Sequence, residues 1–172
     1  PLLSNIMLDQ LDKELETRGL RFTRYADDCI ILVGSSKAAD RVMKNVSIFI
    51  ESKLGLKVNM TKSKVSKSND IKYLGFGFFM DKNDVLWKAK PHAKSVEKLK
   101  LKLKKLTSRR WSISLDERLE KIKKTIVGWT NYYKIGYWKD VARIVDAHVR
   151  FRLQMCIWKQ WKKSKHQEES PD

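Results

Sequence analysis

Cysteine is almost absent from this chain of 172 residues, with only Cys29 and Cys156 present. One lies in a strand-like segment and the other in a helix-like one, so a disulfide framework is excluded and two reduced core thiols are expected. Histidine is as scarce, and His92, His148 and His166 do not share metal-ligand spacing with either cysteine, which argues against zinc. No apolar run approaches the roughly 20 residues that cross a bilayer, and no signal peptide opens the chain. Acid is the most unevenly missing component. Residues 88–165 carry 23 Lys/Arg against 6 Asp/Glu, whereas residues 1–87 carry 14 against 11. Five of the six tryptophans fall in the basic part. Together with the net charge of +17, this points to a polyanionic partner, with nucleic acid preferred over a membrane surface. The hydrophobic content of 42% is enough for one or two small domains, each with a modest core.

Against that background, residues 21–34 organise the chain. Two short β-type runs flank Tyr25-Ala26-Asp27-Asp28, which predicts a β-hairpin with acid at its tip. Asn-Gly or Asp-Gly would reverse the chain with less repulsion than two adjacent aspartates. Either the turn is simply a solvated acidic one, or a cation belongs there. Successive strand side chains face opposite ways, so Asp27 and Asp28 serve one site only at a bend or strand end. Hard oxygen ligands on a hairpin suit Mg²⁺, which also keeps waters and substrate phosphates. The chemistry that follows is phosphoryl transfer with two metals.

Elsewhere the periodicities are mostly helical. Leu3, Ile6, Met7, Leu11 and Leu15 form a helical stripe, expected as core, which ends at Gly19. Ser35 or Ser36 caps a helix to about Lys53 carrying Ala39, Val42, Val46, Phe49 and Ile50. Lys57-Val58-Asn59 and residues 64–66 read as short strands about a turn. Residues 71–78 and 85–87 read as a second hairpin. Residues 87–91 are the expected boundary before a helix with Pro91 in its first turn and Val96, Leu99, Leu103 and Leu106 on one face. Residues 98–103 also alternate with period 2, but their length and Pro91 favour helix. Ser114-Leu115-Asp116-Glu117 is a capping box opening a helix to about Lys134. After Gly136, a third helix runs from about Lys139 to Ser164, and residues 162–172 read as a disordered tail. The basic faces of this bundle argue for a groove tracking phosphates, including Lys98, Lys102, Lys105, Arg109, Arg110 and Lys134. Trp129, Tyr132 and Tyr133 are more often bundle core than stacking platforms, although Asn131 and Tyr133 remain able to reach a nucleic-acid backbone.

Several of these motifs, in this order, resemble group II intron-encoded reverse transcriptases/maturases over nearly the whole chain. Tyr25-Ala26-Asp27-Asp28 resembles the palm hairpin, and residues 1–15 resemble the helix before it. Leu54-Gly55-Leu56-Lys57-Val58-Asn59 with Lys62 and Lys64 resembles the next motif, and Tyr73-Leu74-Gly75-Phe76 the one that grips the primer. Gly128-Trp129-Thr130-Asn131-Tyr132-Tyr133 resembles the maturase-specific thumb motif.

The resemblance implies an α+β fold: a partial polymerase palm, an antiparallel sheet backed by helices, then an all-α three-helix thumb. The expected domains are palm 1–88, thumb 89–164 and tail 165–172. It implies Asp27 as the main ligand and Asp28 as a secondary ligand of two Mg²⁺ ions, with Tyr25 shaping the site beside the primer end. Lys62 would stand near the departing pyrophosphate, or it is one more solvated lysine on a basic rim. Leu74 and Gly75 would lie where the primer backbone comes close, or Gly75 marks a bulge or corner. The implied partners are intron RNA, an RNA template, a DNA primer and an N-terminal fingers/palm segment, in a bacterial cytoplasm and without a membrane. A further metal-binding aspartate would come from that upstream segment, so the chain is expected to be inactive by itself. Two other functions are open: a non-catalytic RNA-binding module, and a reverse transcriptase of a retron, a diversity-generating element or a CRISPR system.

Overall fold

A computed structural model describes residues 2–111 and 113–168, with side chains described to residue 159 and at Trp161. The described residues form a mixed α+β fold of five α-helices and two small antiparallel sheets, and they divide into two compact units, Pro1–Lys67 and Ser68–Asp172.

In the first unit, α1 (Leu2–Thr17) ends where Gly19 adopts φ 64°. The Leu20 amide donates to the Leu15 carbonyl and the Gly19 amide to that of Glu16, which satisfies the last turn as a Schellman motif does. Only the end of its apolar stripe is core. Leu11 and Leu15 are buried, whereas Leu3 and Ile6, expected inside, are exposed. α1 lies against β1 (Arg21–Tyr25), which pairs with β2 (Asp28–Leu32), Tyr25 opposite Asp28, leaving a two-residue turn. Cys29 is exposed on β2, against the expectation of a core thiol, because the small sheet leaves one face uncovered. α2 (Ser36–Lys53) starts as its sequence predicts, with the Ser35 hydroxyl accepting the Ala38 amide at 3.2 Å. Its apolar stripe is half-buried.

The strands expected at 57–59 and 64–66 do not form. Asn59 organises the segment instead: its side-chain oxygen accepts from the Thr61 and Lys62 amides and the Thr61 hydroxyl, and its carbonyl accepts from Ser63. Amide donors satisfied locally are withdrawn from a β ladder.

The second unit opens with a 3₁₀ turn (Ser68–Asp70) and a three-stranded sheet, β3 (Lys72–Tyr73), β4 (Phe76–Met80) and β5 (Trp87–Pro91). The single strand expected over 71–78 is broken at Leu74-Gly75, where φ is 49° and 83°, as in a tight hairpin with two left-handed positions. Residues 87–91 pair fully with β4, and Pro91, opposite Phe76, ends a strand instead of opening a helix. Contacts group β3–β5 with the helices, and the two compact units part after residue 67.

α3 (Ala93–Leu106), α4 (Leu115–Tyr133) and α5 (Lys139–Glu168) complete this unit. Ser114 caps α4 by accepting the Glu117 amide at 3.1 Å. Leu99, Leu103, Ile122, Val145 and Val149 form its core, and Leu103 is fully buried. The three-residue and four-residue spacings therefore decide the helix at 98–103 against the period-2 alternative. Burying a leucine of this kind contributes about 2 kcal/mol. Buried Arg118 holds the α3–α4 loop by donating to the carbonyls of Leu106, Ser108 and Trp111. α5 continues past residue 164 to Glu168, so residues 165–168 are helical rather than tail. Residues 169–172 lie outside the described residues.

Candidate metal-binding hairpin and basic helical face

At the hairpin tip, Ala26 and Asp27 are the two turn residues, and Asp28 begins β2. Asp27 is thus freed from the strand alternation that would send neighbouring side chains to opposite faces. Both aspartates and Tyr25 are exposed. Ala26 has φ 52°, a left-handed conformation costing a non-glycine residue about 1 kcal/mol, and such strain gathers at functional sites.

The turn is braced from α1. Ser4 donates its hydroxyl to Asp27 Oδ1 at 2.9 Å. Arg24 donates Nε and Nη2 to the two carboxylate oxygens of Asp12 at 2.8 and 2.5 Å, and Nη1 to Asn5 Oδ1 at 3.1 Å and to the Ala26 carbonyl at 3.0 Å. Sequence reasoning missed Ser4, Asn5, Asp12 and Arg24, because no local pattern signals a side chain that works across the α1–β1 contact. None of the ion pairs among the described residues takes in Asp27. Two hard carboxylates fit a Mg²⁺ ion that completes its shell with water and phosphate. Among the described residues, no group of three His, Cys, Asp or Glu side chains gathers for a metal. Lys62 is exposed within the Asn59 turn.

The thumb-like residues separate into surface and core. Lys98, Lys102, Lys105, Arg109, Arg110, Asn131 and Lys134 are exposed. Lys98, Lys102 and Lys105 follow a four-then-three spacing along α3, and none enters an ion pair among the described residues. Tyr133 is buried, as its reading as bundle core has it. Its ring lies 4.3 Å from Trp129 and 4.9 Å from Phe76, centroid to centroid, so it packs helix against sheet. Leu74 and Gly75 form the β3–β4 turn: the Leu74 carbonyl accepts the Tyr132 hydroxyl at 2.8 Å, and the Gly75 carbonyl accepts from the Ser95 hydroxyl and the His92 amide, each at 2.9 Å. The close approach that Gly75 permits within this unit is that of Tyr133.

Comparison with known proteins matches these two parts separately. Residues 1–78 match the family of reverse transcriptases (RNA-dependent DNA polymerases), and residues 96–170 match the group II intron maturase-specific domain. A stretch of 73 residues is 32% identical to the putative COX1/OXI3 intron 2 protein of Saccharomyces cerevisiae, covering 41% of this chain and 8% of that protein. An acid-tipped hairpin braced by a helix, followed by a basic helical bundle, is therefore a reverse-transcriptase palm segment joined to a maturase domain. The chain belongs to the group II intron-encoded reverse transcriptase/maturase family. It matches only a small fraction of the yeast relative's length. Among the described residues, no helix is long and apolar enough to cross a membrane.

Proposed function

We propose that this chain forms the C-terminal half of a reverse-transcriptase palm, residues 1–88, and a thumb, residues 89–164. The complete protein copies RNA into DNA and binds its intron RNA to assist splicing. The observation that carries this reading is the braced turn, where two exposed acids sit beside a strained alanine and the neighbouring arginine is engaged by Asp12. Asp27 is the main ligand and Asp28 the secondary ligand for two Mg²⁺ ions, which supply hydroxyl activation and charge neutralisation when bound. Tyr25 lines the primer end. Lys62 serves the departing pyrophosphate. Leu74, Gly75 and Asn131 lie along the nucleic acid, and the lysine face of α3 with Arg109, Arg110 and Lys134 binds phosphates of template, primer and intron. Two free cysteines fit a reducing compartment such as a bacterial cytoplasm.

On this reading the two carboxylates are completed by a ligand from a fingers/palm segment outside this chain, as the resemblance to reverse transcriptases implies. The purified chain is expected to leave an oligo(dT) primer on poly(rA) unextended with Mg²⁺ while binding structured RNA. In the parent protein, Asp27→Ala abolishes DNA synthesis and spares RNA binding. Primer extension by the chain alone would overturn the incomplete-site assignment. Full synthesis by the Asp27→Ala parent would instead favour a non-catalytic RNA-binding role for this region.

A further inference from the structure

We propose that Arg24, clamped by Asp12, is a positioning residue that holds the Ala26-Asp27 turn in its metal-binding geometry, with Ser4 fixing the Asp27 carboxylate. The inference rests on the metal reading above.

Arg24 sits on β1, two residues before Ala26, and its guanidinium spans three partners on two elements. Asp12 and Asn5 lie seven residues apart, two turns along α1, and Ser4 adjoins Asn5. The fork on Asp12 orients the guanidinium so that its remaining nitrogen faces the Ala26 carbonyl, at the residue with φ 52°. A planar guanidinium can hold a carboxylate through two nitrogens while a third donates elsewhere, whereas an ammonium is a point donor. The arrangement also decides electrostatics. Arg24 is the cation nearest in sequence to the acid pair, and its charge is engaged by Asp12, side chain to side chain, with only 12% of the arginine side chain and 24% of the aspartate exposed. Asp27 is left to a hydroxyl donor, Ser4, which orients a carboxylate without neutralising it. The brace therefore holds the strained turn in place and leaves the Asp27 charge for an external cation. Metal ligands misplaced by about half an ångström lose their site, which is why partners behind the ligands matter.

The test uses Mn²⁺ as the probe, titrated into the chain and followed by water-proton relaxation and by paramagnetic broadening of backbone amide resonances. Broadening is expected to centre on Asp27 and Asp28 and to vanish in Asp27→Asn. Arg24→Lys keeps the charge but not the fork and weakens Mn²⁺ about tenfold or more. Ser4→Ala gives a smaller loss, which Ser4→Thr restores because the hydroxyl returns. The α2 resonances and the urea midpoint report folding independently of affinity, and if Arg24→Lys unfolds, the Ser4 pair decides. Wild-type affinity in folded Arg24→Lys and in Ser4→Ala, with Asp27→Asn silent, overturns the positioning role and leaves the metal reading standing. Absence of broadening at Asp27 and Asp28 in the wild type, or undiminished binding by Asp27→Asn, overturns the metal reading and this inference with it.

Discussion

A β-carbon placed on Gly75 would overlap the hydroxyl oxygen of Tyr133. Gly75 has φ 83°, so the turn needs glycine twice over, once for its backbone and once for this approach. Gly75→Ala is expected to destabilise the second unit by about 2–3 kcal/mol, read from the urea midpoint. Tyr133→Phe in that background removes the closest atom and leaves the ring carbon at 3.4 Å, so the double variant should recover part of the loss but not the backbone strain. Equal stability of the single and double variants would show that the hydroxyl's approach contributes nothing.

Ala26 provides the converse case, since its left-handed backbone carries a side chain that does not favour it. Ala26→Gly should stabilise the first unit by up to about 1 kcal/mol, and Ala26→Val should destabilise it by more than that, because a β-branched residue tolerates positive φ least. Thermal denaturation of the two variants against the wild type measures this. Destabilisation by glycine would show that the turn carries no strain.

The lysines of α3 set a salt dependence. Replacing Lys98, Lys102 and Lys105 with glutamine should weaken structured-RNA binding and lower the slope of log affinity against log salt by about 2–3, one unit or slightly less for each phosphate that the variant no longer neutralises. Filter binding across a salt series gives the slope. An unchanged slope would remove α3 from the interface.

Acid should loosen the helical unit through its histidines. Burial, then Lys72 and Lys94, hold the His92 pKa below its ordinary value; burial, then Lys100 and Arg152, do the same for His148. Between the lowered folded pKa and the unfolded value of about 6.5, the unfolded chain binds more protons, so stability falls as pH drops through that window and levels off below it. His92 Nδ1 accepts the Lys94 amide at the start of α3, and protonation there removes the acceptor. The His92→Asn/His148→Gln variant should flatten the stability profile between about pH 7 and the folded pKa values. A slope equal to wild type would place the acid sensitivity elsewhere.

Local chemistry made much of this legible in advance. Ser35 and Ser114 cap their helices because a hydroxyl at that position reaches a free amide whatever lies around it. The α3 stripe at Val96, Leu99, Leu103 and Leu106 identified the face that packs, and the acid turn stood out because its residues are poor for a turn alone. Errors came where distant groups competed. Pro91 reads as a helix start by its own preference, but pairing with β4 makes it the end of a strand. Tyr133 reads more often as core than as contact, but only the closure of Phe76 and Trp129 around it decides between them.

Residue order by itself determined the family, through the succession of motifs along the chain, and the acid pair at a reversal and the cationic helices, since these depend on neighbours within a few positions or on summed charge. Only the tertiary structure decided that Arg24 turns to Asp12 on α1, that Gly75 yields its space to Tyr133, and that the second sheet groups with the helices rather than with the first hairpin. Those outcomes are set by which surfaces meet after the chain has folded back across 12 to 58 residues, a distance over which no local preference acts.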